Sequence, residues 1–387
     1  MARRVAIVHS FYSSAQPSGE NAVVEAELEL LGDTGVEAHL FAARTDQLER
    51  DRMYHFRSAV RVATGRGRSP LAALADFGPD IVHVHNLFPN FGRSWVRRLE
   101  VPFVVTLHNF RFVCAAATLF REGRLCTDCP DGDRWSGVRH RCYRGSAAAT
   151  LPIAIAQRGG PETDPVLARA ARILCLSPRQ RRLLAAAGFE DDRLVDWVNF
   201  LPDALDPQRT GALRRGDARH GCLCVSRLTP DKGVLELVEA WTGDTLLTVA
   251  GDGPLAADVR RAAAGRTVDV RGPLPRSEVV DLMTRSAALV IPGGWPEVAP
   301  LTYVEALASG LPVVVRGGTD LAERIIEQRT GDVIDDLCEA ATAVSRLHDD
   351  PDLSGHCRRV FQSLYTVETH KARVLGLYDD VAALRRR

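Results

Sequence analysis

Short apolar runs alternate with amphipathic stretches along almost the whole chain. Residues 4–9, 36–41, 81–85, 103–107 and 172–176 are apolar or β-branched and of strand length. Between them, Ser18-Gly19 offers a helix entry before residues 21–31, where Val24, Leu28 and Leu31 recur at helical spacing. Residues 179–187 are also helical. The pattern breaks at Val198-Asn199-Phe200-Leu201-Pro202, and 208–220 is polar and rich in Arg and Gly. It then restarts, with strands at 222–226, 246–250, 268–270, 288–291 and 313–315. Helices at 234–241, 255–264, 278–286, 301–308 and 321–327 fall between or after them. Strand–helix alternation on both sides of a break predicts an α/β protein with two doubly wound, Rossmann-like domains, 1–203 and 204–363. The tail, 364–387, reads as a last helix that returns to the first domain. In such folds ligands sit beyond the carboxyl ends of the strands, so the cleft between two such domains is the expected site.

Composition narrows the classes. The 387 residues, 45% hydrophobic and 25% charged, suit a soluble globular protein of two domains. Forty-nine basic residues balance 49 acidic ones, which argues against nucleic acid or a polybasic membrane contact. The apolar run after Met1-Ala2-Arg3-Arg4 covers only 5–8, too short for a signal peptide, and no stretch reaches membrane-spanning length. A cytoplasmic protein is expected, and the Arg/Ala-rich, Lys-poor usage resembles a high-GC bacterial gene.

The richest chemistry lies in Gly293-Gly294-Trp295-Pro296-Glu297-Val298-Ala299-Pro300-Leu301-Thr302-Tyr303-Val304-Glu305. A strand ends near Ile291, a Gly/Pro loop presents Glu297, and a helix begins near Pro300, with Glu305 about one turn inside. Free amides at that entrance favour phosphate, and a carboxylate can accept two vicinal hydroxyls. A solvated loop acid and a surface helical Glu are the plainer reading of such a pair. After the first strand of the second half, Arg227 and Lys232 in Ser226-Arg227-Leu228-Thr229-Pro230-Asp231-Lys232-Gly233 can neutralise a diphosphate.

Together these pieces resemble the retaining glycosyltransferases of family four, two-domain enzymes of the GT-B fold that use nucleotide-diphosphate sugars. Glu297 and Glu305 match the E-x7-E motif, and Val249-Ala250-Gly251-Asp252-Gly253-Pro254 and Arg271-Gly272-Pro273-Leu274 match at family-like positions. The resemblance covers nearly the whole chain. It implies that Arg227 and Lys232 grip the diphosphate, Glu305 takes the ribose, and Glu297 orients the sugar. It further implies that Gly272 and Leu274 read the base, while Gly19, Leu301 and Thr302 approach the phosphates. His108, in Thr106-Leu107-His108-Asn109, matches the strand-end histidine beside the transferred sugar. Ser18, Glu20 and Asn21 match the acceptor-side loop, with His85 and Asn86 as further acceptor-side candidates and His83 read as structural. A UDP- or GDP-sugar is the favoured donor, the acceptor is an unidentified hydroxyl, and no metal is required at the donor site.

The chain departs from the family pattern in two places. Only Gly19 remains of a common glycine pair, and Val298-Ala299-Pro300 replaces an aromatic–Gly step, so phosphate amides must come from Leu301 or Thr302. A GT-B epimerase or phosphorylase and a non-catalytic sugar-nucleotide-binding protein remain alternatives. A dinucleotide oxidoreductase ranks last, because the first strand turn lacks G-x-G-x-x-G.

Of nine cysteines, Cys114, Cys126, Cys129 and Cys142 share one polar, turn-rich segment in the order C-x11-C-x2-C-x12-C. That arrangement suits a structural zinc. Four unrelated thiols or an iron–sulfur cluster are the alternatives, and disulfides are disfavoured in a reducing cytosol. The segment starts six residues after His108 and is expected to shape the acceptor side.

Overall fold

The computed structural model describes residues 4–14, 18–203 and 219–384. The chain divides into two compact units. One holds the residues up to Arg121, Cys126–Asn199 and the chain from His370, and the other holds Glu122–Leu125 and Phe200–Thr369. The division between Asn199 and Phe200 falls inside the break read from the sequence. The 203/204 boundary and most of the polar 208–220 stretch lie outside the described residues.

In the first unit six strands form one sheet: β1 Arg4–Phe11, β2 Glu37–Arg44, β3 Ile81–Asn86, β4 Phe103–Leu107, β5 Arg172–Cys175 and β6 Leu194–Asp196. Their order is β2-β1-β3-β4-β5-β6, and neighbours pair in parallel. Helices cover both faces of a parallel sheet, so its inner strands are mostly apolar, with His9, Ser10, His83, His85 and Thr106 as buried polar exceptions. Seven consecutive residues of β1 are buried, from Val5 to Phe11. The order reverses between β1 and β3, so their carboxyl ends open a crevice. Helix α1, Gly19–Gly32, leads out of β1 with Ser18 at its N-cap. Leu28, read as part of its inner face, is half-buried; Glu27 is buried instead.

The second unit repeats the plan with β7 Cys222–Val225, β8 Leu247–Ala250, β9 Val268–Gly272, β10 Ala288–Ile291, β11 Val313–Arg316 and β12 Gly331–Ile334. The order is β9-β8-β7-β10-β11-β12, again parallel. Its reversal falls between β7 and β10, beside helix α2, Leu301–Ala308. Two glycines let the loops there close in. A Cβ on Gly251 (φ +147°) would lie 1.8 Å from the Ser226 carbonyl, and one on Gly233 (φ +67°) 2.9 Å from that of Pro292. Among the described residues no helix is long and apolar enough to cross a membrane.

Candidate active site

In the second unit the charged residues singled out from the sequence gather at the β7/β10 switch point. Lys232 follows β7 and Glu297 follows β10, 65 residues apart, yet Nζ and Oε1 stand 2.5 Å apart. The ammonium also lies 4.6 Å from the centroid of the Trp295 ring, which adds a cation–π attraction. Arg227 is exposed beyond β7, in a loop pinned by a hydrogen bond from Leu228 N to the Asp252 carbonyl at 2.9 Å. Gly272 closes β9 and is tied to the same loops by a bond from Gly251 N to its carbonyl, 2.8 Å. Leu274 follows two residues later, half-buried.

Pro300 is the N-cap of α2 rather than its first helical residue, because its ψ of 127° is extended. Leu301 and Thr302 are therefore the first two helical residues, and their amides have no acceptor within the helix. Glu305 is paired with Arg276, Oε1 to Nη2 at 3.2 Å. Burial raises its carboxyl above the usual range, and Arg276 opposes that rise. The result is a Lys232–Glu297 pair at the switch point and, at the start of the helix that follows the same loop, free amides with Glu305 one turn inside. That set can bind a phosphorylated polyol.

The first unit presents a different set at its own β1/β3 switch point. His9 lies within the buried run of β1, near its carboxyl end, and its Nε2 lies 3.0 Å from Asn21 Oδ1. The Glu20 carboxylate is 3.9 Å from His9 Nδ1, and its side chain is 7% exposed. Burial pushes Glu20 up to about 8, against hydrogen bonds from Asn86 and Asn109 and the charge of Arg111. Asn86 also donates to the Tyr12 hydroxyl at 3.0 Å. His85 Nδ1 and His108 Nε2 are 3.0 Å apart. Burial, then the neighbouring His85, His9 and His83, holds His108 well below its ordinary value, and burial brings His85 down to about 4. At neutral pH this crevice therefore offers uncharged imidazoles and a protonated carboxyl, all able to hydrogen-bond hydroxyls. A cavity of about 140 Å³ reaches His85, His108 and Asn109 and is walled by Phe88, Phe91 and Ile153. Ser18 and Gly19 stand at the start of α1, where the Ser18 hydroxyl makes no capping bond.

Behind these groups lies a buried hub. His83 Nδ1 is 2.8 Å from Glu27 Oε1 and 2.7 Å from the Tyr378 hydroxyl, which itself donates to Glu27 at 2.8 Å. His83 Nε2 meets Thr106 Oγ1 at 2.7 Å, in keeping with a structural role. Burial would raise Glu27, but His83 and His85 outweigh it and hold the carboxylate well below its usual range. Glu27, His83 and His85 bring one ligand atom each within 4.8 Å of one another. His83, however, already spends both ring nitrogens on hydrogen bonds.

Cys114, Cys126, Cys129 and Cys142 are free thiols of the first unit, with Cys129 buried and the others half-buried. Burial and the other three thiols push Cys142 up to about 11. The sequence reading missed His9, Asn109 and Arg111, and in the second unit Arg276. Their one signal was position, at or just beyond a strand's carboxyl end.

Comparison with known proteins agrees with this layout. Residues 18–195 match the family described as "Glycosyl transferase 4-like domain", and residues 219–350 match "Glycosyl transferases group 1". A GDP-mannose-dependent alpha-(1-6)-phosphatidylinositol monomannoside mannosyltransferase of Mycolicibacterium smegmatis is 31% identical over 185 residues, 41% of this chain and 46% of its own. The alpha-monoglucosyldiacylglycerol synthase of Streptococcus pneumoniae is 29% identical over 178 residues, 42% of this chain and 40% of its own. The match thus spans less than half the length of these curated relatives. Among solved structures, Anabaena HepE with UDP and glucose superimposes with a TM-score of 0.61 at 14% identity, covering 98% of this chain and all of HepE. Sucrose-phosphate synthase of Thermosynechococcus elongatus gives 0.65 at 18%, covering 99% of this chain and all of its own. Each unit thus carries a glycosyltransferase domain on a sheet of the expected topology, and the chain belongs to the glycosyltransferases of the GT-B fold.

Proposed function

We propose that this protein is a retaining glycosyltransferase that moves a sugar from a UDP- or GDP-sugar to a hydroxyl acceptor, with no metal ion at the donor site. The observation that carries the reading is the meeting of Lys232 and Glu297 at the switch point of the second unit, beside the free amides of α2. Lys232, Arg227 and the Leu301 and Thr302 amides supply positive charge for the diphosphate, the task a divalent ion would otherwise perform. Glu305 accepts the ribose hydroxyls and Glu297 those of the sugar. His108 and Glu20 belong to the acceptor side. In transfer the bond from the anomeric carbon to the β-phosphate oxygen breaks, and one to the acceptor oxygen forms on the same face. The departing phosphate oxygen takes the acceptor's proton. The protein contributes positioning and charge stabilisation. The apolar walls of the first unit's cavity suit an acceptor with a nonpolar body, in a glycan conjugate or a small molecule.

A panel of UDP-, GDP-, ADP- and dTDP-sugars scored by thermal shift tests the donor, because a ligand at 100 times its Kd stabilises by about 2.7 kcal/mol. A UDP- or GDP-sugar should raise the melting temperature, and EDTA should not abolish the effect. Stabilisation by none of the four overturns the reading, and interconversion of free sugar nucleotides replaces it with an epimerase. Once an acceptor is in hand, NMR of the product decides retention; an inverted anomer refutes it.

A further inference from the structure

The segment 114–144 is held in an unusual backbone. Ala117, Leu119, Glu122, Arg141 and Arg144, none of them glycine, have φ between 51° and 68°. Non-glycine residues persist in the left-handed region only where the surroundings fix them. Regular structure does little of that work, since the segment's one helix is the four-residue Ser136–Arg139. The cysteines approach one another around Gly137. A Cβ built there would meet Ala115, the neighbour of Cys114, at 3.2 Å and the Cys129 sulfur at 3.9 Å. Cys142 N donates to the Gly137 carbonyl at 2.9 Å.

We propose that Cys114, Cys126, Cys129 and Cys142 form a tetrahedral structural zinc centre that fixes this segment. The close pair Cys126-Thr127-Asp128-Cys129 supplies a knuckle, and the outer two thiols arrive from either flank. Among the described residues only Glu27, His83 and His85 bring three ligand atoms within 4.8 Å, so zinc would have to draw the four thiols together as it displaces their protons. The centre also has a place in the site. Tyr143 follows Cys142, and the Arg111 guanidinium lies 5.2 Å from its ring centroid while acting on Glu20. This inference stands whether or not the chain transfers sugar.

The test is elemental analysis of the full chain, purified without metal-affinity resin. About one zinc per chain is expected. In native thiol titration the exposed Cys338 should react at once, and four further thiols only after a chelator removes the metal. Cys126→Ser with Cys129→Ser should lose the zinc, whereas Cys338→Ser should keep it. Less than about a tenth of an equivalent of zinc, with the four thiols titrating freely, overturns the proposal. Iron with acid-labile sulfide overturns zinc in favour of a cluster, and so do disulfides found in protein alkylated directly from cells. The decisive measurements use the unaltered protein, so they decide the matter even where a variant fails to fold.

Discussion

Replacing Glu20 by Gln should make the protein more stable at neutral pH. Glu20 is buried among Asn86, Asn109 and Arg111, and its folded value of about 8 lies far above the ordinary 4.5. Between those two values the folded state keeps a proton that the unfolded chain has lost. Stability therefore falls as pH rises through this window. At pH 7 the penalty is the cost of holding the carboxyl neutral, about 3 kcal/mol from two and a half units at 1.36 kcal/mol each. At pH 5 it shrinks to about 1 kcal/mol. Gln keeps the size of the side chain and an oxygen to accept from the two asparagines, and it has no proton to lose. The expected result is a melting temperature ~6–12 °C above wild type at pH 7 for the unit that contains it, narrowing to a few degrees at pH 5. The assay is differential scanning calorimetry of both proteins from pH 5 to 8. A difference that does not change with pH, or a less stable variant at pH 7, refutes the reasoning.

Lys232→Ala should weaken binding of the nucleoside diphosphate by about tenfold to a hundredfold, since a charge-assisted bond contributes roughly 1.5–3 kcal/mol. Titration calorimetry reads it, and wild-type affinity removes Lys232 from the phosphate site. Glu305→Gln should raise the Kd for the nucleotide with kcat near wild type, whereas Glu297→Gln and His108→Ala should lower kcat more than affinity. Unchanged kcat in both of the latter takes them out of the mechanism. Glu27→Gln should cost about 3–5 kcal/mol at pH 7 by breaking a buried charged network. Because Glu27 is depressed in the folded state, wild type loses this advantage as pH falls below the unfolded carboxylate value, so the two proteins' melting temperatures should converge in acid. An equal gap at pH 7 and pH 3.5 contradicts an anionic hub.

The strands at the centre of each sheet were legible because a strand covered on both faces carries a continuous apolar run, as in Val5–Val8. Those at one edge were not. In β6 only Leu194 is buried, and in β12 only Ile334, so neither leaves a run that periodicity can detect. The charges of the second unit were legible one at a time, and only their joint resemblance to a family placed Lys232 and Glu297 in one crevice. No spacing rule links residues 65 apart; the link is the parallel topology, which brings the carboxyl ends of β7 and β10 side by side. Arg276 gave only the weak signal of its position beyond β9, because an arginine at the start of a helix is ordinarily solvated.

Glu27 shows where such a reading could have gone further. In α1 it lies three and four positions from Val23, Val24, Leu30 and Leu31, all buried, so helical spacing alone puts it on the inner face. Leu28 fits the apolar pattern by its chemistry but stands one step round the helix and is only half-buried. A carboxylate on a core-facing position demands a partner, because an unpaired buried charge is too costly to keep. The sequence therefore contained the demand. What it could not contain was the answer, His83 and Tyr378, 56 and 351 residues further along the chain. Tyr378 lies on the C-terminal helix, and its hydroxyl meets the carboxylate directly. The return of that helix to the first unit is thus tied to the same buried charge that sits behind His85 and His108. A substitution at Tyr378 should for that reason disturb His85 and His108 although it touches neither.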